Sequence, residues 1–310
     1  MQGFGLAGLM RVAVIGASGF LGSNLAYYVR QQEGIELFGL SRRKSIGFKA
    51  SETFGNFSNL LQLLSDGDFD VIVNCVAVAD HRLAEKSPLQ AREVNATFAG
   101  ALASTARDVG AFFIQISTDA VFSGASPHRY SERDQCCPTS EYGKTKLLGE
   151  QEVVNKNPSS LVLRTNFFGW SRDGEDGVLD FFYRRLRASR PTIAFDDYRV
   201  SSLFLGDFSR ILFELVHQRP AGVFHVVSAN PLSKFEFAAR VADVFGFSRD
   251  LLESGSIAQF RPVPSSPVDL GLATDRLSEV TGLIPPSTEE GILRARSEKD
   301  ATFNWFGRRE

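Results

Sequence analysis

Short continuous apolar runs recur along the first half of the chain: Val12-Ala13-Val14-Ile15, Ile35 to Leu40, Asp70 to Ala77, Ala111 to Ile116 and Leu161 to Asn166. Runs of this length without polar alternation predict strands buried on both faces. Between them lie stretches of helical periodicity: a pattern through Arg30, Phe57 to Leu64, Ala91 to Val109 closing at Gly110, and one opening at Tyr142. Strand and helix alternate, which predicts an α/β fold with a doubly wound parallel sheet and right-handed crossovers. Further on, the pattern predicts helices over Val178 to Ala188, Gly206 to His217 and Lys234 to Phe245, and a strand over Val223 to Val227. The Pro/Ser-rich segment Arg261 to Pro267 reads as an extended connection, and residues 1 to 9 as an extension outside the fold.

Candidate chemistry sits at the strand ends. The first strand leads into Gly16-Ala17-Ser18-Gly19-Phe20-Leu21-Gly22 and then a helix. Strand, spaced glycines and helix together let a backbone approach a pyrophosphate that rests on the positive helix end. Gly16, Ser18, Gly19, Phe20, Leu21 and Gly22 are therefore candidate dinucleotide contacts. The second strand ends in Ser41-Arg42-Arg43, with no acid to take a ribose 2′-hydroxyl. Arginines there suit a 2′-phosphate, so NADP(H) is expected in preference to NAD(H). Cys75, Val76 and Ala77, at the end of the strand that begins at Asp70, complete the expected dinucleotide crevice.

Tyr142 and Lys146 lie four apart and share one face of a predicted helix. A unit charge about 4 Å from a phenol, at an effective dielectric near 20, is worth roughly 4 kcal/mol, or about three pK units. The expectation is a phenol lowered from about 10 toward neutrality and able to exchange a proton with a sugar-like oxygen. Thr118 ends the preceding strand, placed to hydrogen-bond the same oxygen. An isolated Y-x-x-x-K is more often a surface pair; the upstream glycine turn favours the chemical reading.

Composition adds limits. The 310 residues are 43% hydrophobic and 23% charged, ordinary globular proportions with a core to spare. A net charge of −2 disfavours nucleic acid as an electrostatic partner. Three cysteines, two adjacent, form no disulfide framework or metal spacing, and the four histidines show no ligand spacing, so no metal is expected and a reducing cytoplasm is the simplest setting. No apolar run approaches a membrane span.

Several motifs together resemble the extended short-chain dehydrogenase/reductases, and within them the dTDP-4-dehydrorhamnose reductase family. They are Gly16 to Gly22, Val73-Asn74 with Ala84-Glu85-Lys86-Ser87-Pro88, Val94-Asn95-Ala96, Ser117 to Gly124, Tyr142 to Glu150, and Leu163-Arg164-Thr165. Weaker likeness runs through Gly222 to Val226 and Ser233 to Ala238. The resemblance implies a Rossmann domain over 10–165, with returning segments near 193–228, and a smaller interleaved domain, mainly substrate-binding, over 166–310. It implies that Tyr142 donates the proton, Lys146 lowers its pKa and holds the nicotinamide ribose, Thr118 orients the carbonyl, and Asn95 positions the lysine through water. Thr118, Asp119, Asn166 and Phe167 would line the substrate site. The implied reaction is NADPH- or NADH-dependent reduction of a nucleotide-linked 4-keto-6-deoxy sugar, and a homodimer is the candidate assembly. Two departures stand out: Ala120 where the family has Tyr, and Phe167 where it has Trp. The alternatives are an epimerase or dehydratase of the same fold, or a non-catalytic dinucleotide-binding subunit such as that of methionine adenosyltransferase.

Overall fold

The computed structural model describes residues 9–30, 32–174, 177–259 and 268–308. The connection expected over Arg261 to Pro267 lies outside them. In chain order, β1 (Met10–Ile15), α1 (Phe20–Val29), β2 (Ile35–Ser41), β3 (Ala50–Thr53), α2 (Phe57–Asp66), β4 (Val71–Asn74), α3 (His81–Lys86), α4 (Pro88–Arg92), α5 (Phe98–Asp108), β5 (Phe112–Thr118), α6 (Glu141–Lys156) and β6 (Leu161–Thr165) make up the first half. There follow β7 (Phe167–Phe168), α7 (Val178–Arg187), β8 (Thr192–Phe195), β9 (Tyr198–Val200), β10 (Leu203–Phe204), α8 (Leu205–Gln218), β11 (Gly222–His225), β12 (Leu232–Ser233) and α9 (Lys234–Phe245). Then come β13 (Leu252–Gly255), β14 (Val268–Leu270), α10 (Asp275–Thr281), α11 (Thr288–Ser297) and α12 (Lys299–Phe306).

Seven strands form one parallel sheet in the order β11-β6-β5-β4-β1-β2-β3. Successive side chains of β1 alternate between two cores, as strand geometry requires. Val12 and Val14 pack with Leu25, Phe204 and Phe208 on one face; Ala13 and Ile15 pack with Leu60, Phe98 and Phe113 on the other. Strand order reverses at β1, which lies between β4 and β2, and a crevice opens at such a switch point beyond the carboxyl ends of the strands. Of the segment near 193–228, Gly222–His225 joins this sheet. β8 instead pairs with β13, while β9 pairs with β12 and β14.

Departures from the sequence-based expectation include one helix and one strand of the first half. The single helix expected over Ala91 to Val109 is broken into α4, a π-helical turn at Glu93–Thr97, and α5. The break coincides with the closest approach of α6, where a Cβ on Gly149 would lie 2.1 Å from the Asn95 carbonyl oxygen. β3 was not expected, because its residues Ala50-Ser51-Glu52-Thr53 are all exposed at the sheet edge and carry no apolar face.

The last helices return to the first. Tyr28 on α1 donates to the Glu298 carboxylate at 2.9 Å, and the Trp305 ring meets Tyr27 edge-on at 5.9 Å. Trp170 donates its indole N–H to the Ala295 carbonyl at 2.8 Å and packs against Phe303 at 5.1 Å.

Candidate active site

The glycine turn is built for a close ligand. Gly16 sits at φ +87°, and its N–H donates to the Leu40 carbonyl at 2.8 Å, fastening the turn to β2. A Cβ on Gly22 would lie 2.5 Å from the Gly16 oxygen and 2.7 Å from the Ala17 Cα, so nothing larger than glycine fits. The first turn of α1 carries no acidic residue and no side-chain cap, leaving its positive end suited to an anion. Ser18 is half-buried, Gly19 exposed and Leu21 buried. Phe20 lies 5.9 Å, ring to ring, from Phe167, so the dinucleotide turn and the expected substrate wall meet.

Cys75, Val76 and Ala77 are half-buried, and Cys75 and Val76 abut Gly16. At the end of β2, Ser41 is buried and donates its hydroxyl to the Arg43 carbonyl, while Arg42 and Arg43 are exposed. These residues fit a dinucleotide: a cradle that a side chain would fill, an uncapped helix end, and two free guanidinium groups where the adenosine ribose would lie.

Ser140 starts α6 by accepting from the Gly143 N–H at 3.1 Å, and this fixes Tyr142 in the first turn. Tyr142 is half-buried against Thr118, whose hydrogen bonding pulls the phenol pKa down. Burial dominates, with the charges of Asp119 and Tyr198 in the same direction, and the phenol is pushed up to about 12. The expectation that Lys146 brings it toward neutrality is therefore corrected. The Lys146 ammonium is buried and donates to the Ile116 carbonyl at 2.6 Å, so it is not placed to act on the phenol. Burial lowers Lys146 to about 8, against the opposing pull of Glu150 and Cys75. At neutral pH the phenol thus keeps its proton, which is the state a donor requires.

Asn95 accepts from the Val78 N–H at 2.8 Å and donates to Thr145 Oγ1 at 3.0 Å. It ties the loop after β4 to the residue preceding Lys146. Asp119 is buried; Thr118 Oγ1 donates to it at 3.0 Å and Asn166 Nδ2 at 2.8 Å, while burial raises its pKa. Ser202 Oγ donates to Asn166 Oδ1 at 2.6 Å. Thr118, Tyr142, Asp119 and Asn166 are thus brought together, and Phe167 joins them to the glycine turn.

Sequence reasoning missed four neighbours. His81 places its ring 4.7 Å from that of Tyr142, and Tyr198 and Lys234 bear on Tyr142 and Asp119. Glu150, eight residues beyond Tyr142, accepts from Arg164 Nη2 at 2.7 Å and from Ser117 Oγ at 2.5 Å. Glu150 was within reach of the helical spacing that linked Tyr142 to Lys146. The others come from distant segments and carry no local signal. Among the described residues no group of His, Cys, Asp and Glu is arranged to hold a metal, and no helix is long and apolar enough to cross a membrane.

The seven-stranded sheet, the glycine turn and the polar group at the end of β5 define an NAD(P)-dependent oxidoreductase of the extended short-chain dehydrogenase/reductase class. Comparison with known proteins narrows this: the RmlD substrate binding domain matches residues 10–299, and the chain belongs to that family. It is 29% identical to the probable low-salt glycan biosynthesis reductase of Haloferax volcanii over 91% of this chain and 96% of that protein. It is 30% identical to methionine adenosyltransferase 2 subunit beta of Rattus norvegicus over 83% of this chain and 76% of that one. Among solved structures, dTDP-4-dehydrorhamnose reductase from Bacillus anthracis in complex with NADP superposes with a TM-score of 0.80 at 25% identity, covering 93% of this chain and 99% of that one.

Proposed function

We propose that this protein reduces the 4-keto group of a nucleoside-diphosphate-linked 4-keto-6-deoxy sugar, with NADPH preferred and NADH as the alternative donor. When bound along the Gly16–Gly22 turn, the reduced dinucleotide supplies the hydride. Tyr142 delivers the phenolic proton to the oxygen that becomes the alcohol, and Thr118 orients that oxygen by hydrogen bonding. Lys146, released from the Ile116 carbonyl, holds the nicotinamide ribose; Asn95 fixes the helix that carries it. Asp119, Asn166 and Phe167 line the acceptor side. Arg42 and Arg43 favour the 2′-phosphate of NADPH. The half formed by residues 10–165, with the return of β11, carries the dinucleotide, and residues 166–310 mainly the sugar nucleotide.

The observation that carries this reading is the Tyr142 phenol held against Thr118 at the end of β5, two strands from the switch point at β1. The free thiols of Cys75, Cys136 and Cys137 suit a reducing cytoplasm. The test is to follow oxidation of NADPH with dTDP-, UDP-, GDP- and CDP-linked 4-keto sugars. Stoichiometric oxidation with one of them supports the reading, and none with any of them overturns it. The likeness to a methionine adenosyltransferase subunit supports a second reading, a dinucleotide-binding partner protein, which predicts a tightly held dinucleotide that never turns over.

A further inference from the structure

One side chain packed against the proton donor has no part in the reduction as described. The His81 ring lies 4.7 Å from the Tyr142 ring, centre to centre, with the two planes at 53°. That separation falls within the range of packed aromatic pairs, about 4.5–7 Å. His81 is the first residue of α3, and Asp80 fixes its backbone by accepting from the Arg82 and Leu83 N–H groups at 2.8 and 3.2 Å. Ala79 and Asp80 before it are exposed, whereas His81 is half-buried, so its ring reaches inward from the surface.

The helix that carries His81 is itself fastened to the helix that carries Tyr142. Glu85, one turn further on and therefore on the same face of α3, accepts from the Glu141 N–H at 2.9 Å. Glu141 opens α6 and directly precedes Tyr142. One face of α3 thus holds both the start of α6 and the phenol ring that projects from it. A tyrosine hydroxyl sits at the far end of two rotatable bonds, so a small swing near the backbone is enlarged at the oxygen. Hydrogen bonding with Thr118 ties that far end, while Lys146 is bonded to the Ile116 carbonyl instead. The His81 ring bears on the body of the phenol, between those two points of control.

We propose that His81 is a positioning residue for the reduction: its ring, packed on the Tyr142 phenol, keeps the donor hydroxyl aimed at the oxygen that Thr118 orients. This rests on the reductase reading of Tyr142 and Thr118.

The test compares wild type, His81→Ala and His81→Phe on the 4-keto sugar nucleotide that the wild type turns over. A reacting group misplaced by about 1 Å can cost about a hundredfold in rate. His81→Ala should therefore lower kcat by about tenfold to a hundredfold, with KM for the sugar and for NADPH within about threefold. His81→Phe keeps a flat ring without the imidazole proton and should recover most of the loss. NADPH affinity, measured by fluorescence titration, should stay constant and reports that each variant is folded. A readout independent of turnover is NMR relaxation of isotope-labelled tyrosine rings, with the Tyr142 signal identified by its loss in Tyr142→Phe. That ring should gain motion in His81→Ala and regain wild-type order in His81→Phe. Unchanged kcat in His81→Ala, or a rise in KM at constant kcat, overturns the proposal. So does a His81→Phe as slow as His81→Ala, which would assign the role to the imidazole proton. Relaxation also separates the two readings. A wild type that reduces none of the sugars, with ring order still lost in His81→Ala, removes the reductase reading and leaves the hold of His81 on the phenol. A wild type that reduces a sugar, with ring order equal in all three proteins, keeps the reductase and removes the role of His81.

Discussion

Replacing Glu150 by Gln probes a buried ion pair near the site. The Glu150 and Arg164 side chains are 4% and 5% exposed, and three N–H···O contacts of 2.7 to 3.1 Å join them. Gln keeps the shape but removes the charge and turns one acceptor into a donor facing a guanidinium. Arg164 Nη1 already lacks a hydrogen-bond partner, so the guanidinium is under-bonded before the change. Breaking a buried pair from one side costs about 3–5 kcal/mol, a large part of the roughly 5–15 kcal/mol that holds a domain folded. Urea unfolding should therefore show a lower midpoint with an unchanged slope. The double variant Glu150→Leu with Arg164→Met should recover much of the loss, because an apolar pair of similar volume leaves no orphan charge. Glu150 also raises the Lys146 pKa, so the single variant should move the alkaline fall of the rate to lower pH. A cost within about 1 kcal/mol, the range of an exposed pair, with the alkaline fall unmoved, would refute the reasoning.

Tyr142→Phe should lower turnover by about a hundredfold or more while NADPH affinity stays close to wild type; near-normal steady-state rates would remove the donor assignment. Lys146, lowered to about 8 by burial, should lose its proton above that pH, and reduction should fall with it. Between about 8 and the usual ~10.4 the unfolded chain binds the proton and the folded one does not, so the Lys146 contribution to stability rises with pH over the interval where activity declines. Denaturant titrations and rates across that range check both signs. His225, buried and beside Arg164, is lowered to about 3, while the unfolded residue titrates near ~6.5. Acidification from about 6.5 to 5 should therefore cost wild type about 2 kcal/mol more than His225→Gln, and equal losses would show that His225 is not buried neutral.

Much of this was legible because local rules and tertiary demands agree. The run Val12 to Ile15 must be buried on both faces, and the glycines after it must turn sharply, so strand, turn and helix appear where the pattern places them. β3 escaped notice because an exposed edge strand needs backbone pairing but no apolar face. The π-helical turn escaped because the neighbour it meets, Gly149, is more than fifty residues away and leaves no local mark on the pattern. Spacing put Tyr142 and Lys146 on one helix face, but it could not show that the lysine turns to the Ile116 carbonyl. Asp119, Asn166, Tyr198 and Lys234 come from the turn after β5, the residue after β6, β9 and α9, and only the folded chain brings such separate pieces together.

Helix α1 shields one flank with Tyr27 and Tyr28, which finish their packing only against Glu298 and Trp305. On a ribosome, synthesis runs from the amino end, and the nucleotide cradle is spelled out within the first two dozen codons of the described fold. Its supporting wall follows 270 residues after Tyr28, at Glu298. The nascent chain should thus acquire its grip on NADP(H) abruptly, once that wall has emerged, rather than gradually as the strands appear.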